Sequence, residues 1–401
     1  MPSIGLLKNT IQNYAWGSTT AIPELLGEKN LSHEPMAEIW MGVHPKAPSL
    51  VDFEGHWIPL TELIAKNPKD ILGKSVARKF DNRLPYLFKV LAAAKPLSIQ
   101  AHPSLKLAKK GFENENNQGI PLNAANRNYK DDNHKPECIC ALTTFWALYG
   151  FRNIADILSL MGKICPVGLS DELGQLQKQT DSEGLKQFFT LLMSMDDGHK
   201  KRVIDEAMQN AKHQSDEDPA FHWVTRLSVE YAFDIGILSP LFLNLIQLKP
   251  GQALFLPAGE LHAYLEGVGI ELMANSDNVL RGGLTPKHVD VQALLEVLNF
   301  KPRPIDILEE KKKDKTERVY ASYAEEFVLS AISISNGELY RNSNLKSVEL
   351  LLCTEGAARI ENSSNKKTTI IKKGDSVVIP AAVKAYTIEG DAFFYKAAVP
   401  V

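Results

Sequence analysis

Only four cysteines occur in the 401 residues, at positions 138, 140, 165 and 353, and no two have C-x-x-C spacing. That excludes a disulfide scaffold and the common zinc-ribbon and redox motifs. Cys138 and Cys140 fall in the apolar run CICALTTFWALYGF, where free thiols on a buried strand are expected, and a reducing cytoplasm suits them. Charge of one sign is equally scarce: 45 Lys and Arg stand against 48 Asp and Glu, a formal net charge of −3. Such a balance gives no electrostatic case for nucleic acid or an anionic membrane. The expected partner is a small molecule, and an anionic one would need local basic residues. No apolar run approaches the roughly 20 residues that span a bilayer. The opening MPSIGLLKNTIQNYAWG has neither the basic start nor the continuous apolar core of a signal peptide. No glycine-rich nucleotide-binding segment opens the chain.

What is present suits a globular protein of two or three units, with 44% hydrophobic and 23% charged residues. Residues 1–150 mix strand-length apolar runs, among them MAEIWMGVHP, PYLFKVLAA and PLSIQAHP, with a polar excursion, GFENENNQGIPLNAANRNYKDDNHKPE. From about Asn153 to Phe233 the period becomes helical: Ile154, Ile157, Leu158, Met161, then Leu185, Phe188, Phe189, Leu192, then Val224, Leu227, Tyr231. Strand signals resume at LFLNLIQLKPGQALFLP, and VDVQALLEVLNF reads as a short helix. KPRPIDILEEKKKDKTER reads as a linker before a second series of strands. The expected partition is a β unit over 1–151 and 240–300, a helical insertion over 152–239 and a C-terminal β unit over 301–401.

The richest stretch is Gly251–Lys287. Its Gly-x5-Pro-x-Gly-x2-His spacing, ending at His262, resembles the second motif of the cupin β-barrels, whose histidine points inward and binds metal. KKGDSVVIPAAVKAY repeats the Gly-x5-Pro skeleton with alanines at the second glycine and histidine positions. Two cupin-like β units are therefore expected, and only the first should carry a metal site. Gln100-x-His102 places two side chains on one strand face, and Ser98 extends that face. Glu137, at the head of an apolar strand, needs a partner that a metal would supply. Gln100, His102, Glu137 and His262 together suit zinc, and manganese or iron could use the same donors.

Tyr129–Glu137 reads Y-x-D-x-N-H-K-P-E, and HAYLEGVGIELMANSDNVLRGGLTPK follows from His262 to Lys287. With YAWG at 14–17, EIWMGVHPKAPS at 38–49 and PLSIQAHPS at 96–104, the chain resembles the type I phosphomannose isomerases through about residue 300. Gly282 departs from the alanine usual in that family after the arginine. The resemblance implies a mainly β fold of cupin-type jelly-roll barrels with a helical domain, and one zinc per chain on Gln100, His102, Glu137 and His262. It also implies an active-site role for Arg281, and mannose 6-phosphate and fructose 6-phosphate as substrates, interconverted through a cis-enediol(ate). A monomer is expected.

Moving a carbonyl between C1 and C2 requires a base, and Glu271 is the first candidate because Ile270 and Leu272 face the other way along its strand. Lys135 and His134 are rivals. Arg281 suits an anionic intermediate or phosphate, Lys287 and Ser98 suit phosphate, Trp16 and Tyr264 suit the sugar pocket, and Asp277 is expected to order the loop through Arg281. The alternatives are a cupin isomerase for another sugar phosphate and a non-catalytic sugar-binding cupin. An iron-holding cupin oxygenase would be expected to show His-x-His in the first cupin motif, which is missing.

Overall fold

A computed structural model describes residues 3–401 except residues 54 and 336. Alternating apolar runs bounded by Gly and Pro form two antiparallel sheets of eleven strands each. In one, the order is Ile307–Leu308, Ala253–Leu256, Glu137–Ala141, His262–Ala274, Tyr86–Ala93, Glu38–Met41, Thr10–Gln12. The thirteen-residue strand His262–Ala274 serves two walls. Its second half pairs with Tyr86–Ala93 and Glu137–Ala141, its first half with Phe145–Phe151 and, at His262, with Ile99–Ala101. The bend falls at Gly267, φ +131°, where a Cβ would stand 2.7 Å from Phe145 Cδ2 and Thr144 O, so only glycine fits. One strand thereby carries residues on both walls of a cupin-type jelly roll.

Strand alternation separates the faces. Phe88, Val90, Ala92, Cys138, Cys140, Ile270 and Leu272 face outward and pack on Leu350, Leu352, Val378 and Tyr395 of the second sheet. Leu91, Ala93, Ile139, Ala141, Leu254 and Leu256 fill the inside. Against the other wall lie five helices, Ile154–Ile164, Ser170–Lys178, Ser182–Met193, Asp197–His213 and Pro219–Glu230. Their apolar stripes share a core with Leu148, Phe151, Leu261, Ala263 and Leu265. Asn153, Asp181, Asp196 and Asp218 cap four of them through side-chain oxygens. The barrel is thus covered on both outer faces.

The second sheet runs Glu310–Lys312, Glu317–Tyr320, Val328–Ile334, Tyr386–Ala398, Glu349–Asn362, Ser376–Ile379, Gly5–Lys8, Leu50–Phe53, His56–Pro59. Residues 5–8, 50–53 and 56–59 therefore hydrogen-bond into the C-terminal sheet, which corrects the simple 1–151 boundary. Local strand patterning carries no information about which distant edge a strand will join. The linker also differs from expectation: Ile307–Leu308 pairs with the first sheet and Glu310–Lys312 with the second. In residues 60–79 there are three short helices, and the polar excursion begins inside a helix, Leu105–Asn117.

The internal repeat is visible in three dimensions. Gly251 and Gly374, at φ +86° and +90°, each precede a four-residue strand, a proline and a thirteen-residue strand. Glu137 pairs with Leu256 and Met273, and Glu349 pairs with Ile379 and Ala398. Glu349 thus takes the place of Glu137, and Lys396 that of Glu271, each lying two residues before the matching strand partner. In the second unit the buried carboxylate meets a lysine instead of histidines. Lys396 Nζ lies 2.6 Å from Glu317 Oε1 and 3.3 Å from Glu349 Oε1, and Tyr386 donates to Glu349 Oε2 at 2.6 Å. Burial alone would lower the Lys396 pKa, but Glu349, Tyr340 and Glu317 hold it above the ordinary lysine value. Lys396→Met leaves Glu349 buried without its cation and Glu317 with Lys313 alone, an expected loss of about 3–5 kcal/mol in a denaturant titration. A loss below about 1 kcal/mol would show that the carboxylates reach water or protons at little cost.

Candidate metal centre and active site

Glu137 and His262 each open a strand, and His102 follows Ile99–Ala101 directly. Strand register sets Gln100 opposite His262 on one side and Arg281 on the other. His102 Nε2 lies 3.2 Å from Glu137 Oε1, His262 Nε2 lies 3.4 Å from Glu137 Oε2, and the two rings are 5.0 Å apart. The opposite nitrogens are occupied: His102 Nδ1 donates to Asn278 O at 2.7 Å, and His262 Nδ1 to Glu260 O at 3.0 Å. These bonds fix the tautomer and leave both Nε2 lone pairs facing inward. Both Nε2 atoms are buried with no hydrogen-bond partner.

Orphaned buried nitrogens aimed at one carboxylate are costly unless a cation sits among them. Their donor atoms lie within 4.8 Å of one another, and this is the one such group of His, Cys, Asp and Glu among the described residues. Burial pushes His102 down to about 4, with Lys135 and His262 reinforcing it against the opposing Glu137. Its imidazole is therefore neutral at physiological pH, the form that binds metal. Burial raises the Glu137 carboxyl, but Lys135 and the two histidines outweigh it and hold the group well below the usual range.

Beside this cluster lies a second buried group. Lys89 Nζ is 2.9 Å from Glu271 Oε2 and 3.6 Å from Glu38 Oε1, and Trp40 donates to Glu38 Oε2 at 2.7 Å. The three ionisable residues are at most 6% exposed. Although burial opposes it, the two carboxylates hold the Lys89 pKa above its ordinary value. Burial, aided by Glu137, raises Glu271 despite Lys89.

Arg281 is half-buried, on Leu280–Gly283, and among the described residues Arg281, Lys287 and Lys130 make no ion pair. Burial lowers the Lys287 pKa, and Arg281 adds to the effect. Tyr264, 4% exposed, stacks edge-on against Phe145, with its ring 6.2 Å from His262. Trp16 stacks on Tyr14 at 5.7 Å and packs against the inner core, and Ser98 is half-buried immediately before Ile99–Ala101.

A family model described as "Phosphomannose isomerase type I, catalytic domain" matches residues 4–154. The mannose-6-phosphate isomerase of Escherichia coli (strain K12) is 40% identical over 386 residues, covering 96% of each chain. The chain belongs to the type I phosphomannose isomerases. The Homo sapiens mannose-6-phosphate isomerase is 33% identical, covering 95% of this chain and 94% of its own. The crystal structure of the apo form from Salmonella typhimurium superposes with a TM-score of 0.92 at 37% identity, and a zinc-bound mannose 6-phosphate isomerase with 0.91 at 37%; each covers 100% of both chains.

One expectation for this phosphomannose isomerase family member needs correction. Asp277 does not order the loop through Arg281. Its carboxylate bonds His44 Nε2 at 3.3 Å and Lys46 Nζ at 2.8 Å, while its N–H donates to Asp131 at 2.8 Å. The backbone bond to Asp131 turns the side chain toward the His44–Lys46 segment. His134, a rival for proton transfer, places Nε2 2.7 Å from Glu326 Oε1, while the next residue, Lys135, reaches Glu137 Oε1 at 3.0 Å. Gly282 lies in a strand rather than a loop, and a Cβ there would meet Leu261 Cδ2 at 3.1 Å and Ile99 Cγ2 at 3.3 Å.

Lys89, Glu38 and Asn278 were not singled out from sequence. A lysine in the middle of PYLFKVLAA, a strand buried at all eight positions, was the available signal for the first. Asn278, fully buried, accepts from Lys130 N at 2.6 Å and donates to Asn133 O at 2.8 Å, tying the two signature segments together.

The Asp277 carboxyl lies well below its ordinary value, because bonds and charge from His44 and Lys46 outweigh burial. A depressed acid adds stability that is complete above its unfolded pKa of about 3.9 and is lost as pH falls through the folded value. Asp277→Asn should therefore be less stable than wild type at neutral pH, and the gap should narrow steadily below about pH 4. Urea melts at stepped pH test this; a gap independent of pH would remove the ion pairs from the explanation.

Proposed function

We propose that the chain interconverts mannose 6-phosphate and fructose 6-phosphate, with one zinc ion held by Gln100, His102, Glu137 and His262. The observation that carries this reading is the pair of bare, buried Nε2 atoms converging on Glu137. When bound, zinc supplies a Lewis acid for the oxygens at C1 and C2 of the open-chain sugar, without redox change. Glu271 takes the proton from C2 of mannose 6-phosphate, and the same proton, or one from solvent, is delivered to C1 of the enediolate. A hydroxyl proton passes from O2 to O1, which leaves the ketone at C2. Lys89, held protonated, keeps Glu271 in place and offsets negative charge on the inner wall. Lys135 offers a second proton-transfer group from its place on Glu137.

Arg281 keeps its charge at every working pH and has no carboxylate partner among the described residues, so its guanidinium is free for the substrate's anionic oxygens. Lys287 and Ser98 complete the phosphate contacts, and Trp16 and Tyr264 shape the sugar pocket. Among the described residues no helix is long and apolar enough to cross a membrane. Four free, buried cysteines support the cytoplasmic part of the proposal, and gel filtration tests the monomer.

A coupled assay, with mannose 6-phosphate supplied and fructose 6-phosphate detected, tests the function directly. Turnover that disappears on chelation and returns with zinc is expected. Binding of the sugar phosphate without turnover would replace the enzyme with a sugar-binding cupin.

A further inference from the structure

The run from Lys130 to the metal ligand Glu137 contains no helix or strand until Glu137 itself. Its first half is held from within the barrel unit. Lys130 N and Asp131 N donate to Asn278 Oδ1 at 2.6 and 3.2 Å, the Asp131 carboxylate accepts from Ser276 Oγ at 2.8 Å, and Asn133 Nδ2 donates to Asn275 O at 3.0 Å. At its far end Ala274 N donates to Pro136 O at 3.1 Å, but the His134 side chain between is anchored from elsewhere. Glu326, just before the strand Val328–Ile334 of the second sheet, bonds His134 Nε2 through Oε1 at 2.7 Å. Among the described residues it is the one side chain beyond residue 300 that hydrogen-bonds to residues 129–137.

Glu326 is itself firmly placed. It is 8% exposed, and the next residue, Phe327, is fully buried in the core between the two sheets. Its second oxygen, Oε2, is buried with no hydrogen-bond partner. A carboxylate that leaves an oxygen unpaired in the interior is costly, so stability alone does not account for it. His134 and Lys135 are adjacent, yet their side chains end on different carboxylates: Glu326 in one unit, Glu137 in the other. Those two side-chain attachments, with the backbone bonds to Asn133 O and Pro136 O on either side, fix the peptide between them.

We propose that Glu326 is a positioning residue of the catalytic centre: bonded to His134, it fixes the backbone from which Lys135 reaches Glu137. The proposal rests on the isomerase reading of the site. It gives the C-terminal unit, which has no metal cluster among its described residues, a direct part in the chemistry of the first.

The test uses the full-length zinc enzyme and steady-state kinetics in both directions. Partners one step removed from a metal site typically alter activity or metal affinity by about 10–100-fold. Glu326→Ala should lower kcat by about that factor, with KM changed less than about threefold. Glu326→Gln, whose carbonyl oxygen can still accept from His134, should recover most of the rate. In a Lys135→Met background Glu326→Ala should cost nothing further, because the residue through which it acts is gone. Glu326→Asp, shorter by one methylene, replaces the alanine variant should that fail to fold.

Wild-type kcat in the alanine or aspartate variant overturns the proposal. So does a loss of equal size with and without Lys135, which would mark a general structural effect. Zinc affinity, measured by competition with a chromogenic chelator, supplies a readout independent of substrate, and Glu326→Ala should weaken it. Absence of isomerase activity in wild type would instead fell the functional reading and leave the zinc result standing by itself.

Discussion

His262→Ala should reduce kcat/KM for mannose 6-phosphate by about 10³-fold or more while the protein remains folded. The magnitude follows from Lewis-acid assistance worth several kcal/mol, with each 1.36 kcal/mol equal to about a factor of ten. Folding should survive because Glu137 keeps Lys135 at 3.0 Å and His102 at 3.2 Å as partners. His262 begins its strand, so removal of its ring leaves the pairing of Gly267–Ala274 with Tyr86–Ala93 intact. Three measurements together decide the matter: turnover, zinc content after dialysis, and circular dichroism. Folded, zinc-free, inactive protein is the expected combination. A variant with full rate would end the metal assignment at this position.

Glu271→Gln should lower kcat by about 10²–10⁴-fold, the usual contribution of a positioned base, with little change in KM. The amide matches the carboxylate in shape but cannot take a proton. Its neighbour provides the control. Lys89→Met leaves Glu271 and Glu38 buried without their cation, so it should lose about 3–5 kcal/mol of stability as well as rate. Exchange of the C2 hydrogen with heavy water distinguishes the roles. Glu271→Gln should slow exchange and isomerisation together. Full exchange in Glu271→Gln with impaired isomerisation would move the base role to Lys135.

The sequence made the metal side of the site legible because its chemistry is local. Gln100-x-His102 sits on three strand residues and the turn after them, and Glu137 and His262 each mark a strand start. The helical insertion was equally legible, since an apolar stripe at helical period is a property of adjacent residues. Contacts between distant segments were not. Asp277 finds His44 and Lys46, and His134 finds Glu326, because of how segments far apart in sequence pack; no spacing encodes either pair. Lys89 shows the intermediate case: a charge in an apolar strand announces a buried partner without naming it.

The strand Gly5–Lys8 pairs with Ser376–Ile379 on one side and Leu50–Phe53 on the other. During synthesis, then, Gly5–Lys8 must wait for a strand made far later in the chain. Until residues past 376 leave the ribosome, the segments before residue 60 have one edge without its partner. Contacts this distant slow folding, and an unpaired edge invites association with other chains. A chain stopped before residue 376 would contain every proposed zinc ligand and still lack the strand that closes its own beginning. The order of assembly thus makes the arrival of Ser376–Ile379 a condition for orderly folding, and a chaperone that shields Gly5–Lys8 during translation would act where the risk is greatest.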